Sequence, residues 1–307
     1  MAQKFKRGIK LTDITNNWEL YLFLLPAVAF YVIFHYGPMG GIQLAFKRYS
    51  PVLGIWGSPF VGFRHFESFF NHFQFFQIIG NTLILSFYHL VLNTTIPFVI
   101  ALIINQIPSK RFKKTIQTVT YAPHFISTIV LVGMMYVFMS PSTGIVNHAI
   151  RFFGGTPYFF FGEEGAFRHM YVWSGIWQNT GWRAIIYLAA LSAINPELHE
   201  AATVDGATKF QRILHVDVPG ILPTAIIILI LNVGRVMNIG FQKAFLMQTA
   251  LNVSTAEIIP TFVYKAGLLQ HRFEFGTAVG LFNSIINILL IFTINRLARR
   301  VSETSLW

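Results

Sequence analysis

Two arginines lie inside long apolar segments of the sequence, where an anion could be bound. Arg235 occurs in "LNVGRVMNIG", and Asn232 and Asn238 lie three residues on either side of it. Helical spacing makes these two amides neighbours of the arginine. A charge at membrane depth is costly and usually faces a partner or an aqueous cavity. Since a guanidinium binds carboxylates through paired hydrogen bonds, the pattern predicts a cavity for an anionic ligand, with a structural bond to another chain as the alternative.

A second candidate group is formed by Trp182 and Arg183, in "TGWRAII". We place this pair near the outer end of its apolar segment. Arg183 there either lines the same cavity or extends to the membrane interface. Trp182 either stacks on a sugar ring or anchors the helix end at the interface, as tryptophans do at both membrane surfaces.

No other catalytic or ligand-binding signature occurs in the chain. It has no cysteine, and its ten histidines show no metal-ligand spacing. Neither the phosphate loop G-x-x-x-x-G-K-[S/T] nor the zinc motif H-E-x-x-H is present. We therefore expect no catalytic residue, no metal site and no cofactor bound by this chain.

A short polar element, "NPELHEAATVDGATKF", separates two of the apolar segments. Asn195, Pro196 and Glu197 are typical of a helix start, with a cap, a proline at the first position and an acid in the first turn. Gly206 is expected to end or bend that helix, because glycine accepts positive φ freely.

A second short helix is expected after this glycine, and we expect Pro219 and Pro223 to separate it from the next apolar segment. Its apolar residues Phe210, Ile213 and Leu214 share one face. The small and acidic residues of the first helix would let another surface approach closely and accept its hydrogen bonds. The residues expected to make this contact are Glu200, Ala201, Ala202, Asp205, Gly206 and Ala207.

Composition identifies the elements that carry these residues as membrane spans. The chain is 54% hydrophobic and only 11% charged, and its mean hydropathy is +0.54. Blocks of about 20 apolar residues match the thickness of a bilayer core, and helices are the default because they satisfy their own backbone. We predict an all-α membrane protein with spans at 20–46, 79–105, 118–139, 171–194, 222–241 and 277–297.

The basic residues orient these spans. With the N-terminus inside, the inner segments hold thirteen Lys and Arg and the longer outer loops hold eight. Positive charge in short loops marks the cytoplasmic side. Both termini and the 195–223 loop are therefore predicted to be cytoplasmic in a multi-pass cell-membrane protein. The basic residues that give the net charge of +11 are explained by their role in orienting the protein in the membrane, so we expect no nucleic-acid partner.

The spacing of the polar element resembles that of the inner-membrane permeases of ABC importers: E-A-A, three residues, G, nine residues, I-x-L-P. Here Gly206 follows Glu200-Ala201-Ala202 after three residues, and Val216-Asp217-Val218-Pro219 follows after nine more. The two departures replace one aliphatic residue by another. The longer form E-A-A-x-x-D-G-A is typical of the carbohydrate branch. "GWRAIIYLAAL", "NVGRVMNIGFQKAFLM", "GTAVGLFNSIINILL" and the terminal "SLW" are similar to the LplB-like permeases for oligosaccharides and pectin fragments, so the resemblance covers most of the chain.

This resemblance implies the type I ABC importer permease fold with six transmembrane helices. Residues 1–75 would hold the cytoplasmic N-terminus, the first span and an extracellular loop. Residues 76–300 would form the permease core, with the coupling-helix loop at 195–223. In this family the coupling helix docks on a cytoplasmic ATPase.

The resemblance also implies the partners. They are a second homologous permease, an extracellular substrate-binding lipoprotein and two ATPase subunits, which in this group are often a shared multi-sugar ATPase. ATP and Mg²⁺ would be bound by the ATPases. The cargo would be an oligosaccharide, and Arg235 with Arg183 would face an acidic sugar such as a uronate.

Two other functions remain open from the sequence. A permease of the same superfamily could carry amino acids, peptides or phosphate. A membrane enzyme or self-sufficient secondary transporter would need acidic or histidine relays inside the spans. The six spans contain no Asp or Glu, and their histidines are scattered.

Overall fold

The computed structural model describes residues 18–234 and 236–301 of the chain, and these contain helices but no β-strand. The helices are α1 Trp18–Phe46, α2 Gly54–Gly57, α3 Arg64–Phe70, α4 Phe75–Asn105, α5 Lys110–Phe125, α6 Thr128–Phe138, α7 Ile145–Phe152, α8 Glu164–Ser192, α9 Pro196–Val204, α10 Lys209–Val233, α11 Phe241–Met247, α12 Val253–Ala256, α13 Ile259–Val263 and α14 Phe273–Val301. The all-helical architecture agrees with the prediction.

Within these described ranges, four helices are long and apolar enough to cross a membrane: α1, α4, α10 and α14. The consecutive helices α5 and α6 make a fifth span if the bent pair is counted as one. Predicted span 171–194 lies in α8, which is 29 residues long but more polar than the other four. The predicted number of six is therefore reached only when the bent pair and α8 are both counted.

The third span is not the continuous helix predicted at 118–139. α5 and α6 meet at an angle of 96°. Ser127 caps α6 by accepting a hydrogen bond from the Val130 amide at 3.3 Å, and Gln178 of α8 donates to the Ile126 carbonyl at 2.7 Å. The break is tolerated because these side chains satisfy the interrupted backbone.

The fifth span also differs from the prediction at both ends. The second short helix predicted after Gly206 is not separate from the span. It is the first part of α10, which runs from Lys209 to Val233 through a π-helical turn at Ile213–Asp217. The extra residue of that turn admits Pro219 without ending the helix. At the other end α10 stops at Val233 rather than at 241, and a 3₁₀ turn, Val236–Asn238, follows.

α8 lies at the centre of the fold. Its N-terminal half packs Phe167, Tyr171 and Val172 against Leu85 of α4, and its C-terminal half packs Tyr187 and Leu191 against Ala101 of α4 and Ile221 of α10. α1, in contrast, has no buried residue in its apolar window. Only its last turns pack on the rest of the chain, where Ala45 is buried against Ala278 of α14. Since an exposed apolar helix needs lipid or another chain around it, the earlier part of α1 is unpartnered in this subunit.

Gly181 sets how closely α8 approaches α5. A Cβ at this position would overlap the carbonyl group of Thr120. Because the obstacle is backbone, no rotamer change can relieve it.

We expect Gly181→Ala to force the two helices apart and to destabilise the protein by about 1–3 kcal/mol. Thermal unfolding of the purified protein in detergent measures this. Gly165→Ala on the same helix is the matched control, since its Cβ would meet no atom within 4 Å. Alanine is also the better helix former there. Equal unfolding temperatures for the two variants would contradict the close-contact role of Gly181.

Candidate functional site: a polar cavity and an exposed helix

α9 begins and ends as its sequence predicts. Asn195 caps it by accepting a hydrogen bond from the Glu197 amide at 3.1 Å, and Pro196 is its first residue. Gly206 follows with φ of +77°, a left-handed conformation that favours glycine, and the Ala207 amide donates to the Ala202 carbonyl at 2.9 Å. The predicted helix start and the predicted end of the helix at Gly206 are thus confirmed.

The predicted contact residues lie together on the surface of this element. Glu200, Ala201, Asp205 and Gly206 are exposed, whereas Ala202 and Ala207 are partly buried. A shallow groove of about 290 Å³ runs along the turn, and it is lined by Ala202, Asp205, Gly206, Ala207, Gln211, Arg212, His215 and Val216.

Large apolar side chains beside the groove are also uncovered. Val204 and Phe210 are 88% and 73% exposed, and Leu198 and Leu214 are exposed as well. A cluster of exposed apolar residues around a groove is typical of a protein docking surface. The docking role itself stays a prediction.

A buried carboxylate fixes this element to the rest of the chain. Asp217 of α10 is fully buried. Gln106, directly after α4, donates to its Oδ2 at 2.8 Å, and Nε2 of His199 on α9 lies 3.3 Å from its Oδ1. Arg212 further ties α10 to α9 by donating to the Thr203 hydroxyl at 2.8 Å. These contacts link α9 to α10 and to the C-terminal end of α4.

A polar cavity lies farther from α9, between α4, α8 and α10. Its volume is about 200 Å³, and an adjoining cavity of about 250 Å³ shares Asn93, Arg183 and Asn232 with it. Ser86 and His89 of α4 complete its polar wall. α10 ends just beside it, and such discontinuous helices commonly surround the substrate sites of transporters.

Several buried polar atoms around these cavities have no hydrogen-bond partner among the described residues. They are Ser86 Oγ, Asn93 Oδ1, Asn232 Nδ2 and Tyr187 Oη. Ser86 and Asn93 are 2% and 5% exposed. An unsatisfied buried polar group costs about 1–3 kcal/mol, so a ligand with hydroxyl groups would relieve this cost.

Of the residues predicted for a cavity, the structure brings Arg183 and Asn232 together. Arg183 lies nine residues, about 14 Å, from the C-terminal end of α8 and even farther from its N-terminal end. Its predicted placement near an end of the span was therefore wrong. Trp182 is not on the cavity wall, because it stacks on His124 with ring centroids 4.6 Å apart. Arg235 and the side chain of Asn238 lie outside the described residues.

Sequence reasoning missed the α4 wall of the cavity and the Asp217 anchor. Ser86, His89 and Asn93 follow one another at three and four residues, which places them on one helical face. That periodicity was readable in the sequence. Lys243, counted among the outer-loop cations, is instead buried against α8, at 8% exposure.

The comparisons with known proteins agree with this arrangement. Residues 94–303 match the model of the family described as binding-protein-dependent transport system inner membrane component. Protein LplB of Bacillus subtilis (strain 168) is 41% identical over 292 residues, covering 95% of this chain and 92% of the relative. The polygalacturonan/rhamnogalacturonan transport system permease protein YteP of the same organism is 38% identical over 305 residues, covering 99% and 95%.

A solved structure agrees in fold. A chain of a bacterial alginate ABC transporter, in complex with an alginate pentasaccharide-bound periplasmic protein, is 38% identical and superposes with a TM-score of 0.89, covering 96% of this chain and 99% of that one. The predicted permease fold and family resemblance are confirmed. The chain belongs to the family of binding-protein-dependent transport system inner membrane components.

Proposed function

We propose that this chain is the membrane-spanning permease subunit of an ATP-driven importer of oligosaccharides, with uronate-containing ones as its preferred cargo. The observation that carries the proposal is the cavity between α4, α8 and α10, whose orphaned amide and hydroxyl groups suit a polyhydroxylated ligand. Relatives named for polygalacturonan and alginate transport support a sugar acid. Neither relative's name favours amino acids, peptides or phosphate, which remain the alternative cargo.

Uptake of neutral and acidic oligosaccharides by the reconstituted transporter tests the proposal. Uptake of neither kind of oligosaccharide would reject it.

The uncovered surfaces suggest where the partners bind. α9, its groove and the exposed Phe210 would dock on an ATPase subunit in the cytoplasm, where both termini would also lie. ATP and Mg²⁺ would be held by a pair of ATPase subunits, because the full sequence has no phosphate loop. The bare α1 would pack against the second permease and lipid. A substrate-binding lipoprotein would deliver the sugar from outside.

Transport would be a switch between two rigid arrangements. Closure of the ATPases would move α9, and the Asp217 anchor would carry α10 and α4 with it. These two helices form the cavity with α8, so the same displacement would open the cavity to the other side of the membrane. The sugar would shift this equilibrium only as far as it binds one arrangement better than the other. This chain performs no covalent step.

The hinge after α9 offers a direct test of coupling. Gly206→Pro cannot adopt φ of +77°, and it removes the amide that donates to the Thr203 carbonyl at 3.1 Å. Glu200→Lys reverses an exposed charge on the docking face. We expect both variants to abolish sugar uptake by the reconstituted transporter while the permease still assembles in the membrane.

Gly154→Pro is the matched control for Gly206→Pro. Gly154 has φ of +80°, and its amide donates to the Arg151 carbonyl at 2.9 Å, but it lies in the predicted outer loop. It should carry the same local strain and leave coupling intact. Normal uptake by both Glu200→Lys and Gly206→Pro would rule out the docking role.

The Asp217 anchor leads to a different expectation. Asp217→Ala leaves Gln106 and His199 without their partner, which costs about 1–3 kcal/mol and loosens α9. We expect the number of sugars transported per ATP hydrolysed to fall several-fold, because hydrolysis no longer moves the cavity helices. Glu197→Ala, on the exposed first turn of α9, should leave this ratio unchanged. An unchanged ratio in Asp217→Ala would show that the anchor does not transmit motion.

Arg235 is tested through the cargo. Its neighbour Asn232 lies on the cavity wall, so we expect Arg235→Ala to reduce uptake of acidic oligosaccharides about tenfold. Arg235→Lys should retain part of it, since the charge remains but paired hydrogen bonding is lost. Uptake of neutral oligosaccharides serves as the internal control. Unchanged acidic uptake with normal assembly would exclude a ligand role and favour a bond to the second permease.

A further inference from the structure

Three basic side chains from three helices lie at or behind the cavity between α4, α8 and α10. Arg183 of α8 and His89 of α4 are on its wall. Lys243 of α11 lies behind His89, since both side chains approach the same glycine of α8, Gly175. Only Arg183 of these three was singled out by the sequence as a ligand-binding residue.

Lys243 is held in a defined position. It is 8% exposed, its Nζ donates to the Tyr171 carbonyl at 2.7 Å, and the same atom lies 4.8 Å from the centroid of the Tyr171 ring. These contacts stabilise an ammonium group through a carbonyl dipole and an aromatic face. Burial nevertheless lowers the pKa of Lys243 to about 7, so its charge depends on these contacts.

The lack of a side chain at Gly175 leaves the space into which two of the bases project. A Cβ at Gly175 would lie 3.2 Å from Lys243 Nζ and 3.8 Å from His89 Nε2. Gly175 precedes Arg183 by eight residues on α8, a rise of about 12 Å. The bases are therefore spread along α8, in the direction in which a substrate would cross the membrane.

No acidic side chain compensates this charge within residues 18–234 and 236–301. The ion pairs of these ranges are His199 with Asp217 and Lys265 with Glu257, and neither involves the three bases. An uncompensated cation inside a membrane protein is costly and marks the path of a substrate or ion. The orphaned Asn93 Oδ1 and Asn232 Nδ2 beside Arg183 add neutral hydrogen-bonding groups to the same wall.

We propose that Arg183 recognises a uronate carboxylate of an acidic oligosaccharide, with His89 beside it on the cavity wall and Lys243 behind His89. We call this group the carboxylate-recognition ladder. This inference rests on the proposed import function and names the residues that would recognise its acidic cargo. Arg183 binds a carboxylate through paired hydrogen bonds, while His89 and the two orphaned amides contact the ring hydroxyls. Lys243 is not on the wall, so it acts on the anion through its charge and as a positioning residue for His89.

The test compares a tetragalacturonate with its fully methyl-esterified form, which has the same sugar chain without the charges. Substrate-stimulated ATP hydrolysis and uptake are measured for both sugars in the complete reconstituted transporter. The binding protein is the same in every assay, so its own preference cancels when variants are compared with the unmodified protein.

We expect Arg183→Gln to lower the ratio of acidic to esterified transport about tenfold, which corresponds to about 1.4 kcal/mol. Lys243→Met keeps the length of the side chain and should lower the ratio about threefold, with a weaker dependence of acidic transport on salt concentration. Arg168→Gln is the matched control on α8. Arg168 binds Asn81 at 2.9 Å, away from the cavity, and its loss should leave the ratio unchanged.

If the Arg183→Gln permease does not assemble into the transporter, the transport ratio of Lys243→Met alone decides whether the ladder exists, since this variant leaves the cavity wall intact. A ratio equal to that of the unmodified protein in every assembled cavity variant overturns the ladder. Continued import of either sugar in that case leaves the oligosaccharide function standing. Import of neither sugar by the unmodified transporter overturns that function, and the ladder with it.

Discussion

The structure depends on one constraint: a polar group at membrane depth must find its partner within protein. Backbone interrupted inside a bilayer cannot rely on water. Where the third span breaks, Gln178 of α8 binds the free carbonyl of Ile126. Where the fifth span ends, Asn287 of α14 accepts a hydrogen bond from the Met237 amide at 3.2 Å. The long helices thus supply the side chains that allow the others to bend or stop.

α8 meets this constraint at several levels, and that makes it the structural link between the two functional regions. Its outer part contacts Lys243 through Tyr171, and Arg183 is nine residues from its inner end. Asn195, the cap of α9, follows Ser192 after only two residues. So short a connection ties α8 to α9. The Asp217 anchor in turn links α9 to α10 and α4.

Features set by local chemistry were readable from the sequence, whereas those set by distant residues were not. The cap at Asn195 and the left-handed Gly206 depend on neighbouring residues only, so their positions were predicted correctly. The end of α10 at Val233 was not, because the apolar sequence continues and the stop is stabilised by Asn287, which is far along the chain. The cavity was predicted only in part. Arg183 stands out by its charge, whereas the spacing of Ser86, His89 and Asn93 shows a shared helical face but not that this face packs beside α8.

The same constraint identifies three regions of the chain whose side chains lack a partner within it. α1 has a bare apolar window, α9 presents exposed apolar side chains beside its groove, and the cavity retains orphaned polar atoms and uncompensated bases. Each suits a different occupant: lipid with a second permease, an ATPase, and an acidic sugar. If α8, α10 and the Asp217 anchor transmit motion between the last two surfaces, as proposed, occupancy of one would change the free energy of occupying the other, and such coupling would be reciprocal. In the proposed importer ATP would be bound by partner chains, and its energy would reach the sugar through the displacement of α9.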